Sequence, residues 1–287
     1  MKNNLLFEKC PNGCHTNLSD SNIVVSEGPL KFCPECGQLV SSCSKNYYEK
    51  SNQDWNTEEG TWPSKKDFAR LLKRRKRDID YISKILSKDY SDIHILDIGC
   101  SNGSSLLIYK NLGLKAEGVD PSEKAVQNGR ERGFKIHQGL LNDVAFDNNS
   151  FDVITLYEVI EHVDTPIALL KECYRILRPN GIVLIGTGNT NSWTRQIQNS
   201  RWDFFDMKHH GGHISFYSTK SIETLASAAG FSVAKVRTAS VKFCEKGEIS
   251  FILYRILKIF SELLNLPARV FNKGHQMEAY LVSNKHK

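Results

Sequence analysis

The sequence predicts an α/β protein: one doubly wound, mostly parallel sheet of seven strands behind a small cysteine-rich N-terminal module. Three observations carry this. From residue 92 onward, short β-branched runs alternate with stretches of helical period, as βαβ units do. The first of these runs enters its helix through a turn punctuated by two glycines, where open α/β sheets place their ligands. Five of the eight cysteines, finally, crowd the first 43 residues.

Composition narrows the class. The chain has 287 residues, 40% hydrophobic and 24% charged, with a formal net charge of +6. Such values exclude collagen-like, low-complexity and wholly disordered chains. The positive balance is mild; it permits an anionic partner without requiring nucleic acid. The longest apolar stretch, residues 249–266, is interrupted by Arg255, Lys258 and Glu262, so no membrane span is expected. The opening MKNNLLFEKC has no signal-peptide core. Eight cysteines without an export signal read as reduced thiols, and the expected location is cytoplasmic. Oligomeric state stays open.

The elements follow in order. Residues 1–45 form the Cys-rich module, with Gly13, Gly28, Pro29, Pro34 and Gly37 as turn formers. Cys10-x3-Cys14, then an 18-residue gap and Cys33-x2-Cys36, is zinc-ribbon spacing. Four thiolates satisfy a tetrahedral zinc with no open position, so the site would be structural. The competing reading, free cysteines packed as small hydrophobes, fits two close pairs poorly. Cys43 and His15 are spare ligands. Residues 46–64 are polar and aperiodic and read as a connector. Residues 65–88 read as a helix with Phe68, Leu71, Leu72, Ile79, Ile82, Ile85 and Leu86 on one stripe. Its run KKDFARLLKRRKR holds eight cations; it is suited to gripping phosphates, though a solvated helix face is the reading preferred here. The connector and helix (46–90) lead into the main domain (91–287). Strands are expected at 93–98, 114–120, 134–138, 151–157, 181–187, 231–238 and 277–283. Helices are expected near 103–112, 122–132, 165–177, 218–229 and 249–266.

In ILDIGCSNGSSLLIY a strand meets a turn and a helix. Asp97 sits at the strand end, and Gly99 and Gly103 flank the turn, where a missing Cβ lets a ligand approach the backbone. The next strand ends at Asp120, whose carboxylate can accept both hydroxyls of a ribose. This pairing predicts an adenosine-type ligand. A dinucleotide needs G-x-G-x-x-G, so that helix N–H groups cradle a pyrophosphate. Here the acid just before the first glycine repels phosphate and suits an ammonium group. S-adenosylmethionine has an amino group, a ribose and no phosphate.

These residues resemble the class I S-adenosylmethionine-dependent methyltransferases, in the Rossmann-like branch that holds ubiquinone-pathway O-methyltransferases and many sugar methyltransferases. The resemblance runs from residue 91 to about 285. It rests on ILDIGCSNG, EGVDPSEKAV, FDVITLYEVIEHVDTP, RILRPNGIVLIGTGN and HISFYSTKSIETLASAAGF in that order. It implies that Asp97 and the turn Gly99, Cys100, Ser101 and Gly103 hold the methionine moiety. It also implies that Asp120 holds the ribose, with Pro121 and Ser122 beside the adenine, and that Gly139 and Leu140 line the adenine pocket. Leu156 and Tyr157 would approach the sulfonium. Two departures stand out. Ser101 replaces a frequent glycine and is expected to keep φ below zero. Leu140 replaces a frequent acid, which leaves adenine to backbone groups and apolar walls.

The acceptor side follows the fourth strand. In LYEVIEHVD, Glu158, Glu161 and His162 share a face if the segment is helical, and such a trio is competent to ligate a divalent cation. Some ubiquinone-pathway and small-RNA 2′-O-methyltransferases use an E-x-x-E-H stretch in that way. The plainer reading, preferred here, is that these side chains position the active-site floor. Residues 189–217 are rich in Trp, Phe and His and read as an acceptor lid, with Trp193, Trp202, Phe204 and Phe205 excluding water. His209, His210 and His213 offer a general base; His213 is first choice because it matches a histidine that recurs in the resembled family. Arg195, Arg201 and Lys208 suit an anionic acceptor. The expected activity is methyl transfer to a small molecule such as a sugar or nucleotide-sugar hydroxyl. The alternatives are an RNA methyltransferase and a non-catalytic zinc-ribbon protein that binds S-adenosylmethionine.

Overall fold

The computed structural model describes residues 5–55, 59–206, 212–244 and 247–285. The chain order is β1 (Ser19–Val25), β2 (Gly28–Phe32), β3 (Leu39–Val40), α1 (Lys45–Trp55), α2 (Lys65–Leu86), β4 (His94–Ile98), α3 (Ser104–Asn111), β5 (Lys115–Asp120), α4 (Glu123–Glu131) and β6 (Ile136–Gln138). Then come β7 (Phe151–Tyr157), α5 (Pro166–Ile176), β8 (Leu177–Gly188), α6 (Trp193–Gln198), β9 (Ser215–Phe216), α7 (Thr219–Ala228), β10 (Phe231–Ala239), α8 (Phe251–Val270) and β11 (Gln276–Ser283). The seven predicted strands are β4–β8, β10 and β11.

They form one sheet in the order β10-β11-β8-β7-β4-β5-β6. The pairs among β4, β5, β6, β7 and β8 are parallel, and β11 runs antiparallel between β8 and β10. The chain steps outward from β4 to β6 and returns to β7. The order therefore reverses between β4 and β7, and the crevice beyond their C-terminal ends is where such sheets bind ligands.

Side-chain alternation builds the two layers. Leu96, Ile98, Ile154, Leu156, Val183 and Ile185 point to one face, against Leu170 and Cys173 of α5 and Ile222 and Leu225 of α7. Ile95, Val153, Ile182 and Leu184 point to the other, against Ile79 and Ile82 of α2, Leu106 and Tyr109 of α3 and Val126 of α4. The same alternation turns Asp97, Thr155 and Tyr157 toward α2.

The residues read as an aperiodic connector contain a helix, α1. It lacks an apolar stripe, so periodicity could not reveal it; among its contacts, the Tyr48 hydroxyl donates to the His162 carbonyl at 2.9 Å. The Cys-rich module also reaches the main domain through a second sheet, β1-β2-β3-β9. Leu39 and Val40 of β3 pair with Phe216 and Ser215 of β9. Trp202, Phe204 and Phe205, expected to roof a pocket, instead fill a core with Leu30, Leu39 and Phe216.

Candidate active site

At the end of β4 the Asp97 carboxylate is buried. It accepts the Thr155 hydroxyl at 2.5 Å, and the Tyr109 hydroxyl donates to Thr155 in turn at 3.4 Å. Burial pushes Asp97 up to about 6; the Thr155 hydrogen bond and the Arg75 charge act against burial, while Asp120 adds to it.

Arg75 comes from α2. Its guanidinium carbon lies 3.0 Å from the Tyr157 ring centroid. Its side chain is buried, and neither Nε nor Nη1 has a hydrogen-bond partner among the described residues. A buried guanidinium with orphaned donors is costly unless something fills its fork. A carboxylate is the group that matches a guanidinium fork.

The turn after β4 is built on backbone conformation. Gly99 has φ +69°, and a Cβ there would stand 2.5 Å from Val159 Cγ2. The Gly99 turn thus abuts the segment that follows β7, and the two half-sites share a wall. Cys100 is buried, and its sulfur lies where a Cβ on Gly118 would be, so it faces the sheet and meets the crevice through its backbone. Gly103 starts α3 with φ +86°. Ser101 departs from expectation: its φ is +49°. This left-handed conformation is disfavoured for residues other than glycine, and here the Ser101 N–H donates to Asp120 Oδ2 at 2.7 Å.

Asp120 is buried at the tip of β5 and also accepts from the Ser122 N–H at 2.9 Å. Pro121 is half-buried beside it, and Ser122 caps α4. Gly139, with φ +128°, donates its N–H to the Asp120 carbonyl at 3.0 Å. Leu140 is 63% exposed and stands at the rim, not in a pocket wall. Its N–H donates to Asp143 Oδ2 at 2.8 Å, so an acid does return to this spot from three residues downstream. Leu156 belongs to the core on the α5 side, because alternation sends it away from Tyr157.

On the acceptor side the E-x-x-E-H stretch is not an α-helix. Glu158 has φ +55°, and residues Ile160–His162 form a single 3-10 turn. At three residues per turn, the residue after Glu161 rotates away from it. Ligand atoms of Glu158, Glu161 and His213 lie within 4.8 Å of one another. The imidazole brought to the carboxylates is therefore His213; His162 packs edge-on against it, with ring centroids 4.7 Å apart. The Phe204 carbonyl lies 2.8 Å from His213 Nδ1, a contact that places the proton on Nδ1 and leaves Nε2 as the basic nitrogen. Glu161 is buried, and among the described residues neither of its oxygens has a well-formed hydrogen bond, Glu158 and Thr187 being its side-chain neighbours. Burial pushes it well above the usual carboxylate range, and the neighbouring Glu158 charge adds to this.

In the front module, Sγ atoms of Cys10, Cys14, Cys33 and Cys36 lie within 4.8 Å of one another, all buried. Cys10 and Cys36 are 3.6 Å apart, close to the edge of a tetrahedron drawn by zinc–sulfur bonds of about 2.3 Å. Asn12 Nδ2 donates to Cys36 at 3.8 Å, and the Thr16 hydroxyl meets Cys33 at 3.6 Å, as outer partners of a thiolate do.

Of the lid residues, Arg195 Nε donates to the Thr190 carbonyl at 2.7 Å, while Arg201 is exposed. Lys208, His209 and His210 lie outside the described residues. The basic helix is less solvated than expected: Arg74 and Arg77 pair with Glu278 at 2.5 and 2.6 Å. Sequence reasoning missed Arg75, Thr155 and Asp143. For Arg75 a signal existed. Phe68, Leu72, Arg75, Ile79, Ile82 and Leu86 repeat at 4-3-4-3-4 spacing, so a cation stands in the apolar stripe itself.

The family model described as a methyltransferase domain matches residues 66–236. The chain belongs to that family. Curated relatives of this methyltransferase include the ubiquinone biosynthesis O-methyltransferase of Histophilus somni, 27% identical over 153 residues, which are 50% of this chain and 61% of that protein. That of Parvibaculum lavamentivorans is 35% identical over 108 residues, 36% of this chain and 43% of the other. The chain thus spans about half the length of the curated relatives it matches. A methyltransferase structure from Archaeoglobus fulgidus overlays with a TM-score of 0.54 at 18% identity, covering 83% of this chain and all of the other. The geranyl diphosphate C-methyltransferase of Streptomyces coelicolor gives 0.52 at 18%, covering 82% and 97%. At such identity these structures establish the fold. The chain has the methyltransferase family's fold, and the residues at the crevice would fit S-adenosylmethionine: an acid and a guanidinium with two unpartnered donors for an amino acid, and Asp120 for a ribose. Among the described residues no helix is long and apolar enough to cross a membrane.

Proposed function

We propose that the chain transfers a methyl group to a hydroxyl oxygen of a small-molecule acceptor, assisted by a divalent cation on Glu158, Glu161 and His213. The observation that supports this reading is the cluster of Glu158, Glu161 and His213, in which the buried Glu161 carboxylate has no well-formed hydrogen bond among the described residues. Buried acids in that state are tolerated when neutral or when a cation balances them.

S-adenosylmethionine, when bound, supplies a methyl group on a sulfonium that is already an activated leaving group. The chain's residues bind and orient. Arg75 takes the methionine carboxylate, Asp97 the ammonium group, and Asp120 the ribose hydroxyls, with Asp143 at the adenine rim. A cation on the Glu158–Glu161–His213 face would lower the pKa of an acceptor hydroxyl. His213 Nε2 either ligates that cation or takes the acceptor proton; a positioned imidazole contributes roughly 10²–10⁴-fold. Cys10, Cys14, Cys33 and Cys36 hold a structural zinc. With Arg75 buried and Arg74 and Arg77 paired with Glu278, three of the eight cations in the basic run are buried or already neutralised by the protein's own acid. That favours a small acceptor over RNA, and sugar and nucleotide-sugar hydroxyls are the first class to try.

The test is a metabolite screen by mass spectrometry for any hydroxyl compound that gains one CH2 unit from S-adenosylmethionine. Turnover should stop in chelator, recover with Mg²⁺ or Mn²⁺, and be lost in Glu161→Gln. Methyl transfer indifferent to chelator would remove the cation from the reading. Transfer confined to RNA would replace the acceptor class.

A further inference from the structure

Helix α8 leaves most of its apolar surface in solvent. Its buried residues are only Ser261 and Ala268, with Tyr254, Leu257, Leu264 and Asn265 half-buried around them. Asn265 Oδ1 accepts the Val241 N–H at 2.8 Å, and the Thr238 hydroxyl donates to the Ala268 carbonyl at 3.2 Å. The opposite face, turned to solvent, carries Ile252, Ile256, Ile259, Phe260, Leu263 and Leu266, each 45–74% exposed. Val270 and Phe271 extend it at 70% and 66%. At 100° per residue these side chains form one stripe that runs the length of the helix. A folded monomer rarely leaves a contiguous apolar surface above a few hundred Å² uncovered.

The charges along the stripe say what covers it. The helix holds three cations, Arg255, Lys258 and Arg269, and a single acid, Glu262. On the helical wheel all four fall on one edge of the stripe, and no charge falls within it. An apolar face bordered by lysine and arginine is the pattern that lies in the plane of an anionic bilayer, with apolar side chains at the acyl boundary and cations among the headgroups. The C-terminal end of α8 also joins the acceptor side. Asn189 Nδ2 donates to the Asn272 and Gly274 carbonyls at 3.0 and 2.9 Å, and the Trp193 N–H donates to the Lys273 carbonyl at 3.0 Å. A bilayer that seats α8 would therefore lie beside residues 189–193.

We propose that α8 is a peripheral membrane anchor that lays the enzyme on a surface of anionic phospholipid. The test is flotation of the full chain with vesicles of phosphatidylcholine alone or mixed equally with phosphatidylglycerol. Binding to the mixed vesicles is expected, weakening with salt. Ile259→Glu with Leu263→Glu should lower it more than about tenfold, since both residues lie at the acyl boundary. Arg255→Gln, Lys258→Gln and Arg269→Gln should each lower it about fivefold and erase the preference for anionic lipid when combined. All five positions are exposed, and unchanged circular dichroism and S-adenosylmethionine affinity would show that the variants fold. A chain that stays with the aqueous phase on both vesicle types overturns the proposal. So does a dimer in analytical ultracentrifugation that binds no vesicles and is split by Ile259→Glu with Leu263→Glu, which would assign the stripe to a second copy. Because the readout is lipid binding, either failure leaves the methyl-transfer reading untouched.

Discussion

Replacing Arg75 with methionine should make the free protein more stable and its cofactor binding weaker. The side chain is 6% exposed, and two of its nitrogens have no acceptor among the described residues. Buried donors left unsatisfied cost about 1–3 kcal/mol. Methionine fills a similar volume and keeps a sulfur contact with the Tyr157 ring. Asp97 loses its cationic neighbour and moves above about 6, but a neutral acid hydrogen-bonded to Thr155 is tolerated there. The expected gain is about 1 kcal/mol, roughly 2–4 °C in Tm for a chain of this size. Binding should move the other way. A hydrogen bond to a charged group is worth about 1.5–3 kcal/mol, so the Kd for S-adenosylmethionine should rise roughly 10- to 100-fold. Calorimetric titration and thermal unfolding of the same samples give both numbers. Arg75→Lys, which keeps the charge and loses the fork, should fall between. A variant with lower Tm and unchanged Kd would show that Arg75 is a structural cation and would refute the assignment.

Other expectations follow from the same geometry. Asp97 must be ionised to hold an ammonium group, and its pKa is raised to about 6; affinity for S-adenosylmethionine should be flat above about pH 7 and fall toward tenfold per pH unit below 6, a dependence that titrations of Asp97→Asn should lack. Burial would push Glu117 up, but hydrogen bonds from His94, Lys135 and His137 more than offset it and bring it from 4.5 down to about 2. That depressed acid contributes about 3 kcal/mol above pH 4.5, lost as pH falls toward 2, and urea unfolding of Glu117→Gln should show a smaller loss over that window. Ser101→Gly relieves a positive φ and should raise stability by up to about 1 kcal/mol, which equilibrium unfolding would detect.

The sheet was legible because its alternating residues are apolar on both faces, and because Asp97 and Asp120 close consecutive strands. What stayed hidden depended on neighbours that periodicity does not encode. α1 is polar along its length and takes its place from tertiary contacts such as Tyr48 with the His162 carbonyl. Glu158 leaves β7 with a positive φ, which breaks the helical spacing assumed for E-x-x-E-H and trades His162 for His213. The acid expected at Leu140 sits at Asp143, because a 3-10 turn folds it back onto the Leu140 N–H. Arg75 looked like one cation among eight, yet it occupies an apolar-stripe position. A charge there calls for a partner, and among the described residues Nε and Nη1 find no hydrogen-bond acceptor.

The Cys-rich module reaches the acceptor side by a route that its sequence alone did not suggest. From Cys33, the N–H donates to the Gln38 carbonyl at 2.9 Å; Leu39 and Val40 then pair with β9. The Ser41 N–H donates to the Ile214 carbonyl, and the Ile214 N–H to the Glu161 carbonyl, both at 2.8 Å. A few hydrogen bonds thus link the cysteine cluster to His213 and Glu161, the two residues proposed to face the acceptor. Zinc held by the four cysteines would supply much of the folding energy of so small a module, so Cys33→Ser with Cys36→Ser should release β3 and with it β9. Amide exchange at Ser41 and Ile214 should then rise toward that of an open segment, and turnover should fall by up to roughly 10²–10⁴-fold, the worth of a positioned imidazole. Cofactor affinity should change little, because Arg75, Asp97 and Asp120 are held by α2, β4 and β5, which β3 does not pair with. Zinc-free protein that keeps its protection at Ile214 would show that β9 stands without the module. Loss of cofactor affinity together with turnover would instead mean that the module supports the whole sheet.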